Sequence, residues 1–217
     1  MSITLAPGQL ATSLTVINQG TTETSVQVRV VSWHQATGLD ELAPSDSVLV
    51  SPPIITIPAG ATQTVRVVIR KPDPSREGTY RVLLDQIPSA AAAPGTIRIA
   101  MRLSIPVFAE PATRVAPHVT FRVETNAGKA MLVATNDGNS HGTMSDLALT
   151  TKSGSVIALA STGTPYILAG ATRHWRITSA GAGLLTPGAT LQLTAKTNTG
   201  AIKRDIPVVV STSMVSP

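Results

Sequence analysis

The sequence predicts an all-β protein made of two tandem β-sandwiches, and three observations carry the prediction. Apolar and polar residues alternate with a period of two along most of the chain, the pattern of strands that bury one face. The 16 glycines and 16 prolines sit between short apolar runs rather than in one tract, where they punctuate strands as turns. A length of 217 residues is large for one sandwich of roughly 100 residues and comfortable for two.

In chain order, Met1-Ser2-Ile3-Thr4-Leu5 is already strand-like, and Ser13-Leu14-Thr15-Val16 is a strand closed by the turn Asn18-Gln19-Gly20-Thr21. Ser25-Val26-Gln27-Val28-Arg29-Val30 sets its three valines on one face, with Trp33 following as a core or edge anchor. Val48-Leu49-Val50 ends in Ser51-Pro52-Pro53, because proline has no N–H for a central ladder. Pro58-Ala59-Gly60 is a turn, residues 64–69 a strand, Pro72-Asp73-Pro74 a break, and residues 80–87 a strand ending at Pro88. Residues 89–94 form a small-residue loop. Residues 97–107 then give the longest alternating run in the chain.

Pro106, Pro111 and Pro117 space out an extended stretch that reads as a linker, so the expected domains are 1–110 and 111–217. The second half repeats the pattern, with strands at 119–124, 130–135, 145–150, 166–169, 173–178, 190–197 and 203–210. Asn136-Asp137-Gly138-Asn139 reads as a turn and Ala180-Gly181-Ala182-Gly183 as a hairpin loop.

Composition narrows the chemistry. Lys and Arg exceed Asp and Glu by 17 to 12, but the basic residues are scattered and aromatics make up only 3%, which argues against a nucleic-acid partner. The chain has no cysteine, and its four histidines lie far apart in sequence, so no cofactor or metal is expected. No phosphate-binding glycine loop and no nucleophile elbow occurs, and neither an enzyme nor a small-molecule substrate is expected. No apolar stretch reaches the ~18–20 residues of a membrane helix. The N-terminus lacks the features of a secretory signal, so the expectation is a cytoplasmic protein or one whose signal is not present in this chain.

The feature that stands out is a stripe. Ile97, Ile99, Met101, Leu103 and Ile105 share one face, and Arg98, Ala100, Arg102 and Ser104 the other. A run of this length spans about 30 Å at ~3.3 Å per residue, longer than a usual strand. A strand that outruns its own sandwich leaves apolar side chains for a partner to bury.

The order of short segments carries a resemblance. Val16-Ile17-Asn18, Val26-Gln27-Val28-Arg29-Val30-Val31-Ser32-Trp33, Val50-Ser51-Pro52-Pro53 and Ile57-Pro58-Ala59-Gly60 are followed by Val65-Arg66-Val67, Tyr80-Arg81-Val82-Leu83-Leu84-Asp85-Gln86-Ile87-Pro88 and Arg102-Leu103-Ser104-Ile105-Pro106-Val107-Phe108. With Gly142-Thr143-Met144-Ser145-Asp146-Leu147 and Leu168-Ala169-Gly170-Ala171-Thr172-Arg173-His174-Trp175, the chain resembles the periplasmic chaperones of chaperone–usher pili, the PapD-like family, in its archaic branch.

The resemblance implies two immunoglobulin-like sandwiches in an L-shaped arrangement with a binding cleft. The chaperone's G1 strand there completes pilus subunits that lack a strand and hands them to an outer-membrane usher, all in the periplasm. G1 falls on the stripe, so Ile97, Ile99, Met101, Leu103 and Ile105 are the expected subunit-binding residues. Family members commonly hold the subunit's terminal carboxylate with a basic pair, but Ser2 and Pro106 stand at those positions here. Another arginine is therefore expected in that role, Arg81 first and Arg102 second. Arg81 is expected to point away from the core and to matter little for the free fold. The competing expectation is a fimbrial subunit or adhesin with two such domains.

Overall fold

The computed structural model describes all residues except 89–98, 127, 161–163, 180–182 and 212–217. The small-residue loop at 89–94, the first stripe residue Ile97 and the tip of the loop at 180–183 lie outside the described residues. Every described element is a strand. The chain divides into two compact units, Met1–His34 with Glu41–Arg114, and Gln35–Asp40 with Val115–Pro217. The division falls between Arg114 and Val115, and it assigns a six-residue excursion, Gln35–Asp40, to the second unit.

Unit 1 holds β1 (Ile3–Leu5), β2 (Ala11–Ile17), β3 (Thr24–His34), β4 (Glu41–Ala43), β5 (Val48–Ser51), β6 (Ile54–Ile57), β7 (Thr62–Ile69), β8 (Gly78–Ile87) and β9 (Arg102–Ala109). One sheet runs β1-β9-β8-β3-β4, with β6 sharing the β3 edge, and a smaller sheet runs β2-β7-β5. The valines that alternate in β3 explain the layering. Val26 and Val28 are buried and meet Val65, Val67 and Ile69 of β7 in one core with Val82, Leu84, Ile105 and Val107. Strand β6, not anticipated from sequence, lies between Pro53 and Pro58. The Pro52-Pro53 pair does end β5, but there the chain passes from the small sheet to the large one and resumes as β6.

Unit 2 holds β10 (Val119–Asn126), β11 (Lys129–Asn136), β12 (Gly142–Thr151), β13 (Val156–Leu159), β14 (Tyr166–Ile167), β15 (Thr172–Ser179), β16 (Thr190–Thr197) and β17 (Gly200–Val210). Strand β14 is shorter than the strand expected at 166–169, although Leu168 and Ala169 are buried beside it. The pairing runs β13-β15-β11-β10-β17-β16-β12, and β12 then pairs back to β13, so the strands close on themselves. Trp175, Leu132, Leu149, Leu191 and Leu193 fill the interior.

The two units repeat one device. In unit 1, the Asn18 amide donates to the carbonyls of Thr22, Ile57 and Pro58, and its Oδ1 accepts from Gly20 N–H. In unit 2, the Asn136 amide donates to Ser140, Ile167 and Leu168, and its Oδ1 accepts from Gly138 N–H. Both asparagines are buried after an edge of apolar strand, and each satisfies its full amide against backbone that would otherwise be orphaned. The turns read from sequence as Asn18-Gln19-Gly20 and Asn136-Asp137-Gly138 are thus internal fasteners as well as reversals.

The excursion Gln35–Asp40 is fixed by polar contacts within unit 2. Gln35 accepts from Leu168 N–H at 2.9 Å and donates to the Tyr166 carbonyl at 3.0 Å. Asp40 takes an ion pair from the buried Arg173 at 2.8 Å and hydrogen bonds from Gln35 and Thr164. Gly38, at φ +84°, passes over His174 so closely that a Cβ would fall 2.0 Å from the ring.

Candidate functional site

The candidate site is the outer margin of β9. This strand pairs antiparallel with β8 from Gly78↔Ala109 to Asp85↔Arg102, and the pairing fades where β8 ends at Ile87. Of the strand expected over 97–107, residues 97 and 98 lie outside the described residues, and the strand is observed at Arg102–Ala109. Met101 still accepts from the Gln86 N–H at 2.9 Å, although it lies outside the strand.

The apolar stripe crosses from core to surface within a few residues. Ile105, Val107 and Ala109 belong to the unit 1 core. Along the same face exposure then climbs from 8% at Ile105 to 50% at Leu103, 61% at Met101 and 83% at Ile99. The expectation that Ile105 is offered to a partner is corrected accordingly. It packs in its own sandwich, against the strand pair partner Val82. Leu103, Met101 and Ile99 are the members the described structure leaves uncovered, and Ile97 lies outside the described residues.

The backbone edge is partly open as well. Strand β1 runs parallel to β9 and covers it only at Val107–Ala109, through the register Ile3↔Val107, Thr4↔Phe108 and Leu5↔Ala109. Among the described residues, no strand pairs with the outer edge of residues 102–105. An edge with unpaired N–H and C=O groups beside a bare apolar stripe can accept another strand.

On the opposite face of the same sheet the charged residues are paired. Asp85 bonds Arg29 at 2.5 Å and also Arg102, which holds its carboxyl below the usual range, chiefly through the Arg102 side-chain hydrogen bond and next through that of Arg29. The same contact raises the Arg102 guanidinium. Arg102 is thus engaged with Asp85 on an exposed surface.

Arg81 differs from expectation. It is buried, with its guanidinium carbon 3.8 Å from the Trp33 ring centroid, and Trp33 in turn lies 6.0 Å from Phe108. It does point away from the core, as alternation requires, but it is part of the packed fold rather than an idle surface cation. The reading of residues alone could not see this stack, since Trp33, Arg81 and Phe108 come from three strands whose register decides the contact. The covering role of β1 was missed for the same reason.

Among the described residues, no three His, Cys, Asp or Glu side chains gather to hold a metal, and no helix is long and apolar enough to cross a membrane.

This architecture is a two-domain immunoglobulin-like β protein in which, among the described residues, part of the β9 edge is unpaired. The model of the pili and flagellar-assembly chaperones, PapD N-terminal domain, matches residues 1–114, over half of the chain, and the chain belongs to that family. Solved structures agree in fold. The CsuC–CsuE chaperone–tip adhesion subunit pre-assembly complex from archaic chaperone-usher Csu pili of Acinetobacter baumannii shows 21% identity and a TM-score of 0.71, over 97% of this chain and 96% of that one. The Salmonella enterica SafA pilin in complex with the SafB chaperone gives 16% identity and a TM-score of 0.61, covering 96% and 92%. The CupB2 chaperone of Pseudomonas aeruginosa gives 13% identity and 0.59, covering 95% and 97%. No curated protein sequence matches the chain.

Proposed function

We propose that this protein is a periplasmic chaperone that holds pilus subunits by lending them the β9 edge and its stripe, and that it delivers them to an outer-membrane usher. The observation that carries the proposal is the continuation of the core face of β9 into exposed Leu103, Met101 and Ile99 beside an unpaired backbone edge. Relatives of the same fold are solved with a pilin or a tip adhesion subunit bound, which supports the reading. Ile97 extends the stripe in sequence and is included in the proposed surface. The test is co-expression with a pilin lacking its last strand: a stable one-to-one complex is expected. Pilin that aggregates equally with and without this chain would overturn the reading.

Arg81 is proposed to meet the subunit's terminal carboxylate, with Arg102 as the second candidate. A guanidinium already desolvated and fixed over Trp33 has little ordering left to lose when it takes a bidentate anion. Arg102, by contrast, would have to leave Asp85. Because Arg81→Ala also removes packing, the informative variant is Arg81→Lys, compared on subunits with a free and an amidated C-terminus. The native chain should prefer the free carboxylate and the variant should lose that preference. A preference unchanged by the variant would move the role to Arg102.

A further inference from the structure

Alternation alone does not fix how an added strand aligns on β9. A slip of one residue turns its apolar side chains to the wrong face, but a slip of two restores the pattern. The proposed carboxylate anchor selects among registers two residues apart from the end of the subunit chain, and the backbone of β9 supplies a second selection along the strand.

Hydrogen-bond parity shows what the edge offers. Since Gln86 N–H donates to the Met101 carbonyl, residues 101, 103, 105 and 107 turn their backbone groups toward β8, and residues 102, 104, 106 and 108 turn theirs outward. The contact from Glu110 N–H to the Leu5 carbonyl at 3.0 Å has the same parity. In that parallel ladder, the register Ile3↔Val107 sets the Ile3 N–H against the Pro106 carbonyl. Arg102 and Ser104 therefore present both a donor and an acceptor to the open edge. Pro106 presents no donor, because proline has none, and its carbonyl already faces β1.

We infer that Pro106 is a register stop: a strand added to β9 bonds to Arg102 and Ser104 and leaves the edge at Pro106. This rests on the reading of β9 as the capturing edge, and it adds a determinant of alignment to it. A partner strand slid two residues toward β1 would keep its apolar face but set a backbone carbonyl against the donorless Pro106. The favoured register is the one in which the partner chain turns off or ends there, and it fixes which partner side chain lies over Leu103.

The test restores the missing donor in the full chain with Pro106→Ala, and with Pro106→Val as a second variant that keeps bulk. The probes are synthetic peptides of alternating valine and threonine, a five-residue one and a nine-residue one extended at both ends. Binding is read by titration and by amide hydrogen exchange. Exchange at Gln86 N–H, protected by Met101, reports that the edge is intact in each variant. The short peptide should bind native and variant chains equally. The long peptide should bind both variants about fivefold more tightly than the native chain, the effect of roughly one added hydrogen bond, and the new amide at 106 should become protected with those of Arg102 and Ser104. Equal affinity of the long peptide for native and variant chains, or an amide at 106 that exchanges as in the free protein, overturns the stop. Absence of protection at Arg102 and Ser104 in every chain instead overturns the capturing edge itself.

Discussion

The double replacement Ile99→Ser and Met101→Ser separates binding from folding. Fully burying an aliphatic side chain is worth roughly 1.5–3 kcal/mol. Ile99 and Met101 are 83% and 61% exposed in the free chain, so most of that burial remains to be gained from a partner. Scaled by those exposures, the two side chains together contribute about 2–4 kcal/mol, from which ordering takes back up to ~1 kcal/mol. The net loss of about 1–3 kcal/mol is a roughly five- to 150-fold rise in Kd, readable by titration of a strand-deficient pilin. Neither residue belongs to a core cluster, so the Tm of the free chain should move by less than about 2 °C. Unchanged affinity in a variant of unchanged Tm would show that the stripe is not the binding surface. A collapse of Tm would show that these residues are covered within the free chain and that their exposure was misjudged.

Ile105→Ser, on the same stripe but inside the core, should instead destabilise unit 1 by about 3 kcal/mol or more, seen as an early loss of the thermal transition. Asp40→Ala should cost roughly 3 kcal/mol in chemical denaturation, because it strips the carboxylate from a buried Arg173 and leaves Gln35 and Thr164 short of an acceptor. His174 gives a pH signature. Burial beneath the excursion holds its pKa below the ordinary 6.5, Arg122 and Arg173 act in the same direction, and Glu124 and the Thr37 backbone oppose them. The unfolded chain then takes up a proton first as pH falls. The stability that His174 contributes is complete above pH 6.5 and is lost as pH drops through the lowered folded value. His174→Gln should flatten that part of the stability-against-pH curve, and an unchanged slope would assign it to other groups.

Much of the fold was legible because alternation is a local property. The valines of β3 and the stripe of β9 each announce a buried face without reference to any neighbour. What escaped was whatever register decides. Whether Ile105 or Leu103 is the last covered residue depends on what packs over that face of the sheet, not on the composition of β9, since Leu103 still pairs with Leu84 of β8 yet is half exposed. Arg81 was legible only as a side chain turned away from the core, because its neighbours in sequence are core residues. Its stacking partner Trp33 is 48 positions away, by subtraction of residue numbers, and Trp33 in turn meets Phe108. The short strands β6 and β13 carry too few residues to display a period. The passage of Gln35–Asp40 into the second unit has no local signal beyond a glycine.

The closed strand ring of unit 2 has a consequence for where the protein is open to association. Closure uses up the ladder groups that a foreign chain would otherwise find, while unit 1 keeps unsatisfied backbone along β9. A crowded solution of this protein thus carries one half that resists invasion by other chains and one half that invites it. Misassembly, domain exchange and fibre growth should begin at residues 102–105, and a short blocking peptide or a lysine placed on that margin should suppress them, while equivalent changes in unit 2 would have little to protect.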